Sequence, residues 1–93
     1  MWVKNVNGTS QNTCKCGSWL DHWKKFSGKT AQYCSEKTCT NKPEVGAHVQ
    51  KNTSDSSWYI VPLCNEHNRK TSSLELVDSV QLVSANVSNT CGK

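Results

Sequence analysis

The sequence is poor in apolar residues and has no long apolar run. Hydrophobic residues make up 34% of its 93 positions. No stretch approaches the roughly 20 apolar residues that a membrane-spanning helix requires. The first residues, Met1 to Gly8, contain no apolar run of signal-peptide length. These absences exclude a membrane protein from the expected classes, and we expect a cytoplasmic protein.

Internal repeats and low-complexity tracts are absent too, and the length suits one domain. A chain this short with so few apolar side chains buries a small core. Such domains usually depend on disulfides or on a bound metal ion. The six cysteines are able to supply either. Because a cytoplasmic protein is kept reduced, the sequence favours metal ligands over disulfides.

The positive charge is concentrated in the first half of the chain. Residues 1–51 contain eight lysines and three acidic residues, a net +5, whereas residues 52–93 contain three basic and four acidic residues, a net −1. Any surface that faces phosphate groups is therefore expected in the first half. The total of +4 is equally typical of an ordinary solvated surface, so charge alone does not distinguish a nucleic-acid partner from a protein partner.

Two pairs of possible metal ligands stand out by their spacing. Cys34 and Cys39 enclose a short polar segment that we predict to be a turn, and Cys64 and His67 lie three residues apart. Residues at that spacing share one face of a helix. Zinc prefers four nitrogen or sulfur ligands in a tetrahedron. The four residues are therefore predicted to hold one structural Zn²⁺.

The other cysteines allow several arrangements. Cys14 and Cys16 form a Cys-x-Cys pair that is able to bind one metal ion with both thiolates, and His22 and Cys91 are candidates to complete such a second site. In another arrangement one of these thiols joins the first site and the pair at residues 34 and 39 is split. Free thiols are the third alternative, and the sequence does not choose among them.

Local patterns predict an N-terminal helix over residues 18–27. Ser18 is a suitable N-cap with an acidic residue at the third position of the turn, and Gly28 is a suitable stop. Three aromatic residues fall on one face of this helix, Trp19, Trp23 and Phe26. We expect that face to be packed in the core.

Local patterns in the rest of the chain predict mostly strands. Residues 45–50 and 58–61 are predicted to form a β-hairpin with a long loop, followed by a helix over residues 63–70 that begins after Pro62. In the tail, residues 74–76 and 80–82 alternate as strands do, although one helical turn also fits. Residues 1–13 are polar and are predicted to be a flexible arm, which leaves residues 14–93 as a single domain with a core at 34–70.

The segments Gly46-Ala47-His48-Val49 and Pro62-Leu63-Cys64-x-x-His67-Asn68 together resemble the ββα-metal core of HNH endonucleases, zinc-stabilised relatives of the treble-clef finger. The resemblance covers roughly residues 34–70 and is nearest to small bacterial HNH-like proteins. It implies a small α+β zinc-stabilised domain built from a zinc knuckle, a β-hairpin and a helix. The helix at 18–27 and the C-terminal strands would flank that core.

The resemblance also implies catalytic roles. His48 matches the first His of the motif, the general base that activates water, and Asn68 falls where the last His holds a catalytic Mg²⁺. Asn52 or Asp55 matches the middle Asn, which orients the first His. This chain departs from the motif at Asn68 and at Ala47, where many active members carry a further metal ligand.

These observations lead to two functional hypotheses. The first is an HNH-like zinc protein associated with DNA or another nucleic acid, which is either a metal-dependent endonuclease or a descendant that has lost cleavage. The second is a non-enzymatic zinc module for protein or nucleic-acid interaction. Neither hypothesis involves a membrane.

Overall fold

A mostly antiparallel β-sheet with one packed helix organises the chain. The computed structural model describes residues 1–6 and 17–86. Within these residues the elements are β1 (Trp2–Asn5), α1 (Trp19–Ser27), β2 (Val45–Lys51), β3 (Tyr59–Leu63), α2 (Asn65–Asn68), β4 (Leu74–Glu75) and β5 (Val83–Ser84). The strands form one sheet in the order β4-β1-β2-β3-β5, and all four neighbouring pairs among these strands are antiparallel. The α+β class predicted from the sequence is confirmed.

The β2–β3 hairpin divides the molecule into two packed sides. His48 pairs with Ile60 across the hairpin, and Ala47 pairs with Val61. Because side chains alternate along a strand, these two pairs lie on opposite faces of the sheet. The face that carries Ala47 packs into a core that also contains residues of the predicted metal site. The other buried members of this core are Val3, Cys34, Val49, Val61, Leu63, Cys64, Leu74 and Leu76. The face of Ile60 packs against Trp23 of α1.

Helix α1 forms as its sequence signals predict. The Ser18 hydroxyl accepts a hydrogen bond of 3.0 Å from the backbone N–H of Asp21. At the other end, Gly28 adopts the left-handed conformation with φ of 69°, and its N–H donates to the Lys24 carbonyl. The helix is therefore fixed at both ends by local interactions.

Helix α1 lies directly on strand β2 at Gly46. A Cβ atom at this position would stand 2.3 Å from the Trp19 carbonyl carbon and 2.5 Å from the Leu20 nitrogen. Real Cβ atoms do not approach other backbone atoms so closely, so only glycine permits this contact. Gly46 therefore sets the distance between the helix and the sheet.

The N-terminal segment corrects the predicted arm. Residues Trp2–Asn5 are a strand inside the sheet, paired with β2 on one side and β4 on the other, and Val3 is fully buried. The expectation of a flexible arm is wrong for these residues, while residues 7–13 fall outside the described part of the chain. A flexible arm was predicted because polar residues dominate the segment. The buried side chain of Val3 nevertheless packs in the core and anchors the strand in the sheet.

Pro62 was expected to open a helix and instead lies within β3, opposite Gly46. Its carbonyl accepts a hydrogen bond from Ser35, on the side away from β2. Strand β5 pairs only with Tyr59 and Ile60, so the missing N–H of Pro62 interrupts no sheet hydrogen bond. Helix α2 consequently starts later and is only four residues long.

The tail contains two short strands, as favoured from the sequence. The first, at residues 74–75, matches the predicted position. The second lies at residues 83–84 and not at 80–82, so its predicted position is wrong. The hairpin-then-helix order expected for an HNH-like core is present, but a four-residue helix beside a five-stranded sheet does not by itself establish a treble-clef fold.

Candidate metal centre

The segment that carries Cys34 and Cys39 is a closed loop. The backbone N–H of Cys34 donates to the Asn41 carbonyl at 2.7 Å, and the N–H of Cys39 donates to the Glu36 carbonyl at 3.1 Å. The Glu36 carboxylate accepts hydrogen bonds from the Thr38 backbone N–H at 2.7 Å and from its hydroxyl at 2.6 Å. These contacts turn the chain back on itself and bring the two thiols to one side of the loop. We call residues 34–41 the knuckle loop.

The knuckle loop is anchored on two neighbouring segments. The Ser35 N–H donates to the carbonyl of Pro62 at 2.9 Å, and the Ser35 carbonyl accepts from Val77 at 2.9 Å. The Lys37 N–H donates to the Glu75 carbonyl at 2.9 Å, and their side chains form an ion pair of 3.5 Å. The end of β3, the end of β4 and the segment after β4 therefore fix the position of the first ligand pair.

The second ligand pair sits at the junction of β3 and α2. Cys64 is the N-cap residue of α2, and its carbonyl accepts a hydrogen bond of 3.0 Å from the N–H of Asn68. His67 lies on the first turn, on the same side as Cys64. The side-chain amide of Asn5 in β1 donates to the carbonyl oxygens of His67 at 2.8 Å and Lys70 at 3.0 Å. Strand β1 thereby holds the C-terminal end of the helix in place.

The four predicted ligands converge. One ligand atom from each of Cys34, Cys39, Cys64 and His67 lies within 4.8 Å of all the others. The Sγ atoms of Cys39 and Cys64 are 3.9 Å apart, and the Nδ1 atom of His67 is 3.6 Å from Cys34 Sγ and 3.2 Å from Cys64 Sγ.

These separations match a zinc tetrahedron. With Zn–S bonds of about 2.3 Å and Zn–N bonds of about 2.0 Å, two sulfurs lie about 3.8 Å apart and a sulfur and a nitrogen about 3.5 Å apart. Each measured distance is within about 0.4 Å of the corresponding value. A Cys₃His donor set is also one that structural zinc sites use. The residues present therefore fit a zinc ion in both geometry and chemistry.

The two buried thiols differ in their electrostatic environment. Burial raises the pKa of Cys34 to about 12, although backbone N–H groups of Glu36 and Cys64 oppose this effect. Burial also raises the pKa of Cys64, but hydrogen bonds from the backbone and side chain of His67 and from the two other thiols outweigh it, and the pKa falls to about 7. The surroundings therefore favour the thiolate, the form that binds metal, at Cys64, whereas Cys34 would have to lose its proton as the metal binds.

Two residues near the ligands were not predicted from the sequence. Asn5 fixes the helix that carries His67, and the Asn41 amide lies 4.0 Å from the Cys64 sulfur. Both belong to polar stretches without a recognisable motif. Their proximity arises from the long-range pairing of β1 and from the closure of the knuckle loop, which no local signal indicates.

His48, the predicted general base, lies on the other side of the sheet from the cluster. It packs edge-on against Trp19 with ring centres 4.5 Å apart and lies 6.1 Å from the Trp58 ring. Only 6% of its surface is exposed, and its Nε2 atom has no hydrogen-bond partner among the described residues. Burial, together with the charge of His22, lowers its pKa, so the ring is neutral near pH 7.

The other residues matched to the HNH motif have different contacts. Asn68 ends α2 and is half-buried. The Asn52 amide donates to the Ser73 hydroxyl at 2.6 Å, and the Asp55 carboxylate accepts from the Tyr59 hydroxyl at 2.6 Å. The two candidates for the middle Asn are thus both engaged in interactions within or beside the hairpin loop.

The alternative second metal site cannot be assembled from the described residues. Cys14, Cys16 and Cys91 lie outside them. His22 is described, is fully buried on α1, and places its Nε2 atom 2.9 Å from the Ser84 carbonyl oxygen. The second site therefore stays a prediction from the sequence.

None of the helices in residues 1–6 and 17–86 is long and apolar enough to cross a membrane. Comparisons with known proteins found no matching family model, no similar curated protein and no similar solved structure. The metal-ligand cluster is consequently the feature on which a functional interpretation rests.

Proposed function

We propose that the protein is a small HNH-like zinc module that binds nucleic acid and does not cleave it. The observation that carries the zinc part is the convergence of Cys34, Cys39, Cys64 and His67 within 4.8 Å. The order of knuckle loop, hairpin and helix around this cluster supports the HNH-like relationship. Nucleic-acid binding is supported by the distribution of exposed basic residues.

Zinc would add a direct link between parts of the chain that otherwise meet through a few hydrogen bonds. Its ligands come from the knuckle loop, from the end of β3 and from α2. A four-residue helix is far shorter than the roughly 12 residues at which isolated helices become even marginally stable. The ion would therefore stabilise the folded state directly, because the unfolded chain does not present four ligands together.

Replacing one ligand at a time tests the zinc part. We expect the reduced protein to contain one equivalent of zinc from this cluster, and Cys64→Ser and His67→Gln to lose it and to melt at a lower temperature. His48→Gln is the matched control, because His48 lies on the opposite face of the sheet and its replacement should leave the zinc content unchanged. Full zinc content with wild-type melting in both ligand variants would contradict the proposal.

The nucleic-acid part rests on charge. Five exposed lysines lie in α1 or between α1 and the start of β2: Lys24, Lys25, Lys29, Lys37 and Lys42. The same segment, residues 17–44, contains three acidic residues. One of these, Glu36, turns its carboxylate onto Thr38 within the knuckle loop. Exposed lysines on one stretch of a small domain favour contacts with phosphates.

The geometry around His48 is the reason for proposing binding without cleavage. A general base must reach the proton it removes, directly or through one water. The Nε2 atom of His48 is buried under α1, and its neighbour Ala47 has no ligand atom for a catalytic Mg²⁺. Asn68 alone would leave such an ion with few protein ligands.

Binding and cleavage are tested with the same preparations. We expect the zinc-loaded protein to bind DNA with an affinity that falls as salt is increased. We expect supercoiled plasmid to remain intact with Mg²⁺ at every protein concentration. Plasmid nicking that His48→Ala abolishes would restore the endonuclease interpretation, and absence of binding at low salt would overturn the nucleic-acid part.

A further inference from the structure

A groove beside the knuckle loop is unexplained by the zinc site. It has a volume of about 520 Å³ and lies between residues 29–33, the knuckle loop and residues 77–81. Its floor includes Trp23, Pro62 and Val80. Pockets of 300 to about 1,000 Å³ are the size that bind small organic groups in proteins. The groove is thus large enough for one or two nucleotides.

The rim of the groove combines an aromatic ring with positive charge. Tyr33 has 54% of its surface exposed, although it is a large side chain next to a buried ligand residue. Lys29 and Lys37 also line the groove and are exposed, with Lys37 in a surface ion pair of 3.5 Å with Glu75. Glu36 lines the groove as well, and its carboxylate accepts a hydrogen bond from the Thr38 N–H within the knuckle loop. Exposed aromatic rings beside lysines are what proteins use to bind unpaired bases and their phosphates.

The floor of the groove is preorganised. The Trp23 indole N–H donates to the Gln81 carbonyl at 2.7 Å, which joins α1 to the segment on the far wall. The opposite wall is the knuckle loop, held by Ser35 at Pro62 and at Val77. A groove with walls that are already hydrogen-bonded loses little entropy when it binds a ligand.

From these features we propose that this groove binds single-stranded nucleic acid, with one base stacked on Tyr33 and the adjacent phosphates near Lys29 and Lys37. The proposal rests on the proposed function and narrows it to single-stranded nucleic acid and to this groove. It places binding beside the side chains of Cys34 and Cys39, which also line the groove. Zinc would then support one wall of the binding surface.

Binding of a fluorescent oligothymidylate to the zinc-loaded protein tests this assignment. Tyr33→Ala should weaken binding about tenfold, since loss of one stacking contact has an effect of that order. Tyr33→Phe should bind as the wild type does, because the ring is retained. Trp2→Ala is the matched control, since Trp2 is 53% exposed and is not part of the groove.

The lysines are tested in the same way. Lys29→Gln should weaken binding and reduce its salt dependence, whereas Lys42→Gln, which removes an equal charge outside the groove, should do so less. In NMR spectra, the indole N–H signal of Trp23 should shift when the oligonucleotide is added. Zinc content is measured for each variant, so that weaker binding caused by unfolding is distinguished from weaker binding caused by the lost side chain.

Other outcomes overturn the groove assignment in distinguishable ways. If the oligonucleotide binds but Tyr33→Ala and Trp2→Ala behave alike, the groove is not the site and the proposed function stands. Binding of duplex DNA without binding of the single strand would likewise exclude the groove and leave the proposed function standing. If polyglutamate displaces the bound oligonucleotide as effectively as unlabelled oligothymidylate does, binding depends on negative charge alone. Stacking of a base on Tyr33 would then be excluded. If neither nucleic acid binds, the nucleic-acid function fails together with the groove.

Discussion

The Asn5 side-chain amide donates a hydrogen bond of 2.8 Å to the backbone carbonyl of His67, 62 residues further along the chain. The same amide donates to Lys70 at 3.0 Å. One side chain of β1 thus bonds two carbonyl groups at the C-terminal end of α2, that of Lys70 and that of His67, which also accepts from the Lys70 N–H at 3.2 Å. Through this contact the N-terminal strand positions a metal ligand that it does not itself carry.

Replacement of Asn5 should therefore weaken the metal site. Asn5→Asp keeps the size of the side chain but removes both donors, and we expect it to lower the free energy of unfolding by about 1 to 3 kcal/mol. Competition with a coloured chelator should show weaker zinc binding. Asn52→Asp is the control, since Asn52 is exposed and its side-chain amide donates to the Ser73 hydroxyl, away from the ligand cluster. Equal effects of the two changes would contradict this role for Asn5.

The contact between Gly46 and α1 predicts a strong effect of a single methyl group. Gly46→Ala would bring Cβ to 2.3 Å from the Trp19 carbonyl carbon, so the helix must move away from the sheet. We expect a loss of about 1 to 3 kcal/mol in urea unfolding, as for other overpacked sites. Gly28→Ala is the control. Its Cβ meets nothing within 4 Å, and only the left-handed backbone disfavours it, by about 1 kcal/mol.

His48 should be replaceable by an apolar residue. Its Nε2 atom is buried and has no hydrogen-bond partner in the part of the chain that the structure describes, and an unsatisfied buried polar atom lowers stability. We expect His48→Leu to leave the free energy of unfolding unchanged or to raise it by about 1 kcal/mol, with zinc retained. A loss above about 2 kcal/mol would show that the ring makes a polar interaction that stabilises the fold.

The same variant predicts a change in pH dependence. The pKa of His48 is lowered in the folded state from its usual 6.5, chiefly by burial. The unfolded chain therefore binds a proton more readily, and His48 reduces stability as the pH falls below 6.5. Urea unfolding of His48→Leu should accordingly depend less on pH in that range than unfolding of the wild type. Identical profiles for the two proteins would show that His48 titrates normally.

The hairpin loop contains a second group that links stability to pH. The Tyr59 hydroxyl donates to Asp55 at 2.6 Å and, with hydrogen bonds from Ser57, lowers the pKa of Asp55 from 3.8 to about 2. Because this carboxyl group is more acidic when folded, its contribution is present above pH 3.8 and is lost as the pH falls through about 2.

Tyr59→Phe should raise the pKa of Asp55 toward 3.8, measured by NMR titration of its carboxyl carbon. Tyr33→Phe is the matched control, because Tyr33 lines the groove beside the knuckle loop and not the hairpin loop. An unchanged Asp55 titration in Tyr59→Phe would mean that the hydroxyl is not the main cause of the shift.

Features with local causes were predictable from the sequence. Helix α1 has its cap at Ser18 and its stop at Gly28 within one short segment, and the ligands of the metal site were predicted because zinc accepts few residue types at few spacings. Strand β1 was not predicted, since Val3 pairs with Lys51 and Leu74, far along the chain. A strand's stability comes from partners that its own sequence does not reveal.

Pro62 shows how tertiary structure overrides a local preference. Proline favours the first turn of a helix, and the sequence around it offered no reason to expect otherwise. In the structure its missing N–H faces away from β2, so the sheet tolerates it. His48 was predicted to be catalytic from its place in a motif, and a motif does not report which face of the sheet a side chain occupies.

The strand order has a consequence for how the chain reaches its folded state. Strand β1 precedes β2 and β4 in the chain but lies between them, so it has both of its neighbours only after Leu74 has left the ribosome. Most of its contacts span more than forty residues, and such long-range pairing slows folding. The hairpin β2–β3 and helix α1 are able to form earlier. Docking of the N-terminal segment would then be a late step. In that step the Asn5 amide would reach the His67 carbonyl and fix the helix that carries this ligand.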